Sequence, residues 1–170
     1  LQDLTDAKLR VEEGGIELSG TLLDAAGLAL WSRTPAGILV RVGSFRAKSL
    51  QQLYVEAKKL PWSDVLSSGQ PVKVRATLKG SSFKRADSAA RKLELAIQDS
   101  LRASRRPSHQ RRNHFPLTLV LRANGADVTV SADAVGRPLH RRGYRQATAK
   151  APLRENLAAS ILVAAGWDPD

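Results

Sequence analysis

The chain has 170 residues, 42% hydrophobic and 25% charged, which suits one ordinary domain or two small ones and excludes wholesale disorder. It has no Cys, which excludes a disulfide framework, a thiolate metal site and a Cys nucleophile, and fits a reducing, cytoplasmic setting. The formal charge of +11 is unevenly placed: Leu1 to Val72 carries eight Lys/Arg and eight Asp/Glu, leaving nineteen cations and eight acids from Lys73 onward. An imbalance confined to one part of a chain favours a localised anionic partner.

No apolar run reaches the length of a membrane span; Asp24 interrupts the longest candidate, near Leu22 to Trp31, so no membrane partner is expected. The opening LQDLTD has neither a basic nor an apolar leader region, and the chain has no Met, so it reads as processed or as cut from a longer protein.

Leu1 to Leu4 reads as the tail of a helix. Lys8 to Glu13 and Ile16 to Ser19 alternate apolar and polar residues around Gly14-Gly15, the pattern of a tight β-hairpin with one acidic, wet face. Thr21 to Arg33 has helical spacing, with Leu22, Leu23, Ala26, Ala29, Leu30 and Arg33 near one stripe. Thr21 or Ser19 caps it and Thr34-Pro35 stops it. Ile38 to Val42 is a strand. Hairpin, helix and strand in that order match a half-complete ferredoxin-like unit, a scaffold without chemistry of its own.

Gly43-Ser44 marks a boundary. Ser49 caps a second amphipathic helix to Leu60 that turns Leu50, Leu53, Tyr54 and Ala57 inward, and Pro61 ends it. Trp62 with Val65-Leu66 then forms a short helical turn. An exposed Trp there would stack on a base, whereas a Trp after Pro among apolar neighbours is a packing residue. Val72 to Leu78 alternates strictly, with Val72, Val74, Ala76 and Leu78 inward and Lys73, Arg75 and Thr77 outward.

The stretch from Lys79 to His114 is the one around which the rest is organised. As a helix from Phe83 to about Ala103, it gathers Ala86, Ala89, Ala90, Leu93, Ala96, Ile97 and Leu101 on one side. Lys84, Ser88, Arg91, Lys92 and Arg102 gather on the other, with Arg85 at the entry. Gly80 and Ser81-Ser82 turn the preceding strand into this helix and place free backbone N–H groups beside Lys79 and Lys84, a geometry that suits a phosphate. It is not a P-loop, which needs GK[ST] after four spacer residues. The helix exits into RRPSHQRR, where Arg105, Arg106, Arg111 and Arg112 have no acid to offset them. A packed side, a cationic side and a cationic exit suit a polyphosphate backbone. The plain alternative is that these Lys and Arg keep a surface helix soluble.

Pro116 opens a hairpin in which LTLVLRA and ADVTVSA flank Asn124-Gly125. The second part therefore reads as helix, strand, long helix and hairpin, an α+β unit with a mixed sheet. His109, His114 and His140 do not sit at metal-ligand spacing and no carboxylate pairs with them locally, so no metal site is expected.

From Gly136 the pieces LHRRGYR, APLRENLAA and GWDP follow in order. Together with the hairpin GGI at Gly14 to Ile16, LWSRT at Leu30 to Thr34, Leu53-Tyr54, Pro61-Trp62 and Ala96-Ile97, they resemble the bacterial large-subunit ribosomal RNA guanine-N2 methyltransferases that carry a THUMP domain. The resemblance covers nearly the whole chain. It implies a ferredoxin-like N-terminal domain from Leu1 to Val42, incomplete at its start, and a THUMP RNA-binding domain from Gly43 to Asp133. It further implies a connector from Ala134 to Lys150 and, from Ala151 to Asp170, the first helix leading to a Rossmann-like methyltransferase domain that is absent here. The chain departs from the family pattern at Leu95, where an acid commonly precedes Ala-Ile, and in its basic run from Arg105 to Arg112.

What the resemblance implies about function follows the same lines. Arg141, Arg142 and Arg145 would contact RNA phosphates and Tyr144 would stack on a base or ribose. Alternatively, Leu139 and Tyr144 pack the connector and the arginines pair with acids of a further domain. Pro152, Arg154 and Glu155, in the first turn of the Ala151 to Ala165 helix, would border a cofactor pocket, although a structural helix start explains Pro152 and Glu155 as well. The parent protein would use S-adenosylmethionine to methylate 23S rRNA. Within this chain no two of the twelve glycines stand two residues apart, so it holds no GxG cofactor loop, and no catalytic residue is assigned to it. Competing readings are the RNA-binding portion of a tRNA guanine methyltransferase, a free-standing RNA-binding adaptor, and a nonspecific DNA-binding protein.

Overall fold

Eleven elements follow one another as β1 (Lys8–Glu12), β2 (Gly15–Ser19), α1 (Leu22–Trp31), β3 (Leu39–Arg46), α2 (Leu50–Lys58), α3 (Trp62–Val65), β4 (Val72–Lys79), α4 (Ala86–Ala103), β5 (Leu117–Asn124), β6 (Asp127–Asp133) and α5 (Glu155–Ala164). The computed structural model describes residues 7–12, 15–67, 70–103, 115–143, 147 and 150–167. It divides into two units, Leu1–Ile38 with Ala134–Asp170, and Leu39–Asp133.

In the Leu39–Asp133 unit the strands form one mixed sheet in the order β3-β6-β5-β4, with β4 and β5 parallel and the other pairs antiparallel. The period-2 pattern of β4 and the 3.6 period of α4 meet in one core. Ala89, Leu93, Ala96 and Ile97 of α4 are buried together with Leu119 and Leu121 of β5 and Val128 and Val130 of β6. Removing a Leu or Ile side chain of this kind from water is worth about 1.5–3 kcal/mol. Leu53 and Ala57 of α2 join the same cluster. A polar seam ties α2 to α4: the Tyr54 hydroxyl donates to Asp99 at 2.6 Å and the Ser100 hydroxyl to the Lys58 carbonyl at 3.2 Å. Glu94 of α4 accepts from the Val74 amide at 3.3 Å, occupying a donor of the edge strand β4.

Several expectations are refined. The strand foreseen at Ile38 to Val42 runs Leu39–Arg46 and pairs with β6, so it belongs to the later sheet and not to the first unit. Gly43-Ser44 accordingly lies inside a strand, at a bulge between Arg41 and Gly43. A Cβ at Gly43 would meet the end of the Leu60 side chain, which would have to shift. The long helix begins at Ala86, and Phe83, taken as its start, is instead buried in the core. Asn124 pairs with Asp127, so the hairpin loop is Gly125-Ala126, one residue later than read. Gly125 has φ +60° and no described non-Gly residue has positive φ, the type II′ arrangement that needs Gly first.

The other unit holds the β1–β2 hairpin, paired in register from Lys8↔Ser19 to Glu12↔Gly15, with residues 13 and 14 outside the described set. Thr21 caps α1 through a capping box: its amide donates to Asp24 at 2.7 Å and the Asp24 amide returns to its hydroxyl at 3.3 Å. The apolar stripe is largely exposed at Leu22, Leu23 and Leu30, and Leu28, off that stripe, is the buried residue of α1. Periodicity finds an apolar stripe but does not say what covers it.

Trp62 decides between stacking and packing. It is 1% exposed and its indole N–H donates to the Ala57 carbonyl at 2.7 Å, so it is a core residue. Trp62→Ala should lower the unfolding free energy by about 3–5 kcal/mol. Trp62→Phe, which removes the indole donor while the Leu60 amide still donates to the Ala57 carbonyl, should cost less, about 0.5–1.5 kcal/mol for the lost bond. Urea titration with the slope unchanged checks both.

Candidate nucleic-acid interface

Lys79, Lys84 and Arg85 are brought together around the β4–α4 turn. Gly80, at φ +58°, reverses the chain, and buried Phe83 pins the turn to the core while Lys84 and Arg85, just before α4, stay exposed. The Arg85 carbonyl accepts from the Ala89 amide at 3.3 Å, so Arg85 itself precedes the first helical residue. The Lys79 carbonyl accepts from the Gly125 amide at 2.9 Å, which fixes the end of β4 to the β5–β6 hairpin. The Ser81 hydroxyl oxygen is buried with no protein partner among the described residues.

The cationic side of α4 is less cationic than its Lys and Arg suggest. Arg91, Lys92 and Arg102 are matched by Asp87, Glu94 and Asp99 over Ala86–Ala103, so the helix itself is neutral. Lys92 Nζ lies 4.8 Å from the Tyr54 ring centroid, with Lys58 Nζ 5.3 Å from the same centroid. Arg102 lies 4.0 Å from Asp99. Arg91 remains on the exposed stripe. Arg105, Arg106, Arg111 and Arg112 lie outside the described residues, as do His109 and His114.

In the other unit the connector motif divides. Arg141 is exposed, while Tyr144 and Arg145 lie outside the described residues. Arg142 is committed to backbone: its Nε donates to the Leu139 carbonyl at 3.1 Å and its Nη2 to the Ala29 carbonyl at 3.0 Å, with further bonds to the carbonyls of Leu30 and Ser32. The Ala29, Leu30 and Ser32 carbonyls are acceptors at the end of α1, where the guanidinium also complements the helix dipole. Arg142 is therefore a clamp between the connector and α1, which corrects its assignment to RNA phosphate. Leu139 is buried, as the packing reading held. The Asn156 side-chain amide donates to the Thr34 carbonyl at 3.3 Å, joining the APLRENLAA and LWSRT pieces.

The helix foreseen from Ala151 begins at Glu155. Pro152 therefore lies before the helix, and Arg154 occupies the N-cap position without a side-chain cap. Pro152 and Arg154 are exposed and form no enclosed cradle. No described helix is long and apolar enough to cross a membrane, and among the described residues no group of three or more His, Cys, Asp or Glu is placed to hold a metal.

The residues missed by sequence reading are on strands. Lys73 and Arg75 were placed outward by alternation but left out of the site, and Arg122 stands outward on β5 beside them. The signal was present in VKVRATLK and LTLVLRAN; what was missing was the pairing of the two.

The chain is 34% identical over 168 residues to ribosomal RNA large subunit methyltransferase K/L of Pseudomonas paraeruginosa, and 35% identical over 158 residues to the protein of that name from Syntrophotalea carbinolica. These matches cover 98% and 92% of the chain but only 23% and 22% of the relatives, so the chain spans less than a quarter of their length. No protein-family model matches it. Among solved structures, it is similar to a predicted N6-adenine-specific DNA methylase from Listeria monocytogenes, with TM-score 0.87, 28% identity, and coverage of 96% of this chain and 43% of that one. It is also similar to SMU.472, assigned as a methyltransferase and solved with S-adenosylhomocysteine, with TM-score 0.84, 27% identity, and coverage of 96% and 44%. The motif resemblance and the sequence relatives point to the same group of enzymes.

The Arg142 clamp has a direct test. Arg142→Ala should destabilise the unit on the order of 2 kcal/mol, as several partly exposed charge-assisted bonds are lost, and should reduce hydrogen-exchange protection in α1. Arg142→Lys should not restore that protection, because an ammonium cannot reproduce the planar fork.

Proposed function

We propose that this chain is the RNA-recognition portion of an S-adenosylmethionine-dependent methyltransferase that modifies guanine N2 in 23S rRNA. The observation that carries the reading is the 34% identity to ribosomal RNA large subunit methyltransferases across 98% of the chain. Its support is the charge: the whole excess of +11 lies after Val72. In this reading the hairpin and α1 are part of a ferredoxin-like domain, the four-stranded unit is the THUMP domain, and α5 leads to a Rossmann-like domain.

The chain's own contribution is capture and positioning. Each phosphate contact releases condensed counterions, giving a logarithmic salt slope of about −0.9 per contact on a duplex and about −0.7 on a single strand. S-adenosylmethionine, bound by the following domain, supplies the methyl group. Pro152, Arg154 and Glu155 are the residues of this chain assigned to the edge of that site. A cofactor site needs a concave wall, and Pro152 and Arg154, both exposed, supply none by themselves.

A second reading, a DNA substrate, is favoured by the name of the Listeria protein, and a tRNA substrate is the alternative within the enzyme class. Competition at matched salt separates them: 23S rRNA should displace the protein from tRNA and duplex DNA, and equal retention of all three would defeat the reading. With labelled S-adenosylmethionine, the intact protein should deposit label at guanine N2 of 23S rRNA.

The arginine run after α4, which lies outside the described residues, is assigned to RNA contact as well. Replacing Arg105, Arg106, Arg111 and Arg112 by Glu should abolish RNA retention at physiological salt while leaving the far-UV circular dichroism intact.

A further inference from the structure

The sheet of the Leu39–Asp133 unit has one face in the core with α2, α3 and α4, and the opposite face outward. Outward on β4 stand Lys73, Arg75, Thr77 and Lys79, all exposed, and the partner positions on β5 are fixed by register. Lys73 pairs with Thr118, Arg75 with Val120, Thr77 with Arg122 and Lys79 with Asn124. Each of these four rungs therefore carries one cation, because Arg122 fills the place that Thr77 leaves. Neither strand has a carboxylate anywhere in its length. Outward residues two apart on a strand are separated by about 6.6 Å and neighbouring strands by about 4.8 Å, so the four charges form a narrow track about 20 Å long.

Among the described residues, the rest of the unit offers no equivalent. On the β3–β6 half, outward Arg41 and Arg46 are balanced by Asp127 and Asp133, and Arg46 pairs with Asp127 at 3.2 Å. Helix α4 is neutral over its length. Among the described residues, an unbalanced row of cations thus lies on the β4–β5 half of one face, continuous at Lys79 with the turn that carries Lys84 and Arg85. The four rungs carry no aromatic ring, so their chemistry addresses phosphates and ribose hydroxyls, not base faces.

We propose that the outer face of β4 and β5 is a track for an RNA phosphodiester backbone, with Lys73, Arg75 and Arg122 as its centre. This inference rests on the RNA-binding reading above and moves the principal contact from α4 to the sheet. The track grips RNA independently of sequence.

The test is the triple variant Lys73→Gln, Arg75→Gln, Arg122→Gln of the intact protein, with retention of in vitro transcribed 23S rRNA measured across a KCl series. Affinity at physiological salt should fall at least tenfold, and the log–log salt slope should flatten by about 2 units, from about 0.7–0.9 per lost contact. The charge-conserving pair Arg75→Lys, Arg122→Lys should keep the slope, which holds the proposal open to test should the triple variant fold poorly. An unchanged slope in a folded triple variant, or a flattened slope in the charge-conserving pair, overturns the track while leaving RNA binding in place. Wild-type protein that retains no RNA, or retains duplex DNA equally well, overturns the underlying reading instead.

Discussion

The later unit depends on one seam, where Leu93, Ala96 and Ile97 of α4 meet the inward residues of β5 and β6 in a common core. Because strand side chains alternate, committing Val74, Leu119, Leu121, Val128 and Val130 inward commits Lys73, Arg75, Arg122 and Thr129 outward. A slip of β4 by one residue against β5 would turn Lys73, Arg75 and Lys79 inward and Val74, Ala76 and Leu78 outward. The register is thus held by hydrophobic burial, and the placement of charge is a consequence of it. The same apolar contact that stabilises the unit sorts its cations onto one surface.

The other unit is held differently. Among its described residues only Leu28, Ser32 and Leu139 are buried. Backbone acceptors take the place of an extensive core: Arg142 occupies carbonyls at the end of α1, Leu139 and Ala134 return amides to Ala36 and Ile38, and Asn156 reaches Thr34. Such bonds fix direction well but contribute only about 0.5–1.5 kcal/mol each when neutral, and somewhat more when charged. That explains why a motif rich in arginine can be structural. In LHRRGYR, two adjacent arginines have opposite fates, Arg141 toward water and Arg142 onto backbone.

What could be read from the sequence was what local chemistry dictates. The inward and outward residues of β4, the Ser49 and Thr21 caps, and the packed side of α4 all follow from periodicity and capping preferences. The sheet partner of β3 did not follow, because ILVRV declares a strand without declaring which sheet it joins. Nor did the fate of α1's apolar stripe, since burial requires a partner that helix spacing cannot name. The candidate site was half legible for a related reason. Listing cations along α4 ignored Asp87, Glu94 and Asp99 on the same helix, whereas the track across β4 and β5 exists only after two distant strands are paired.

Charge of this kind settles some questions and leaves others to different parts of an enzyme. Four cations on a sheet, with no carboxylate on the two strands that carry them and no aromatic ring among them, attract any polyanion strongly at low salt and speed its arrival. They cannot distinguish one base from another, since base edges are read by directed donors and acceptors and by stacking. On the reading proposed here, capture and choice are therefore physically separate: the sheet holds the backbone, and selection of the guanine falls to RNA shape and to the domain that carries the chemistry. Such a division lets the cation track vary in strength without altering which nucleotide is methylated, because it acts on the affinity of every RNA alike.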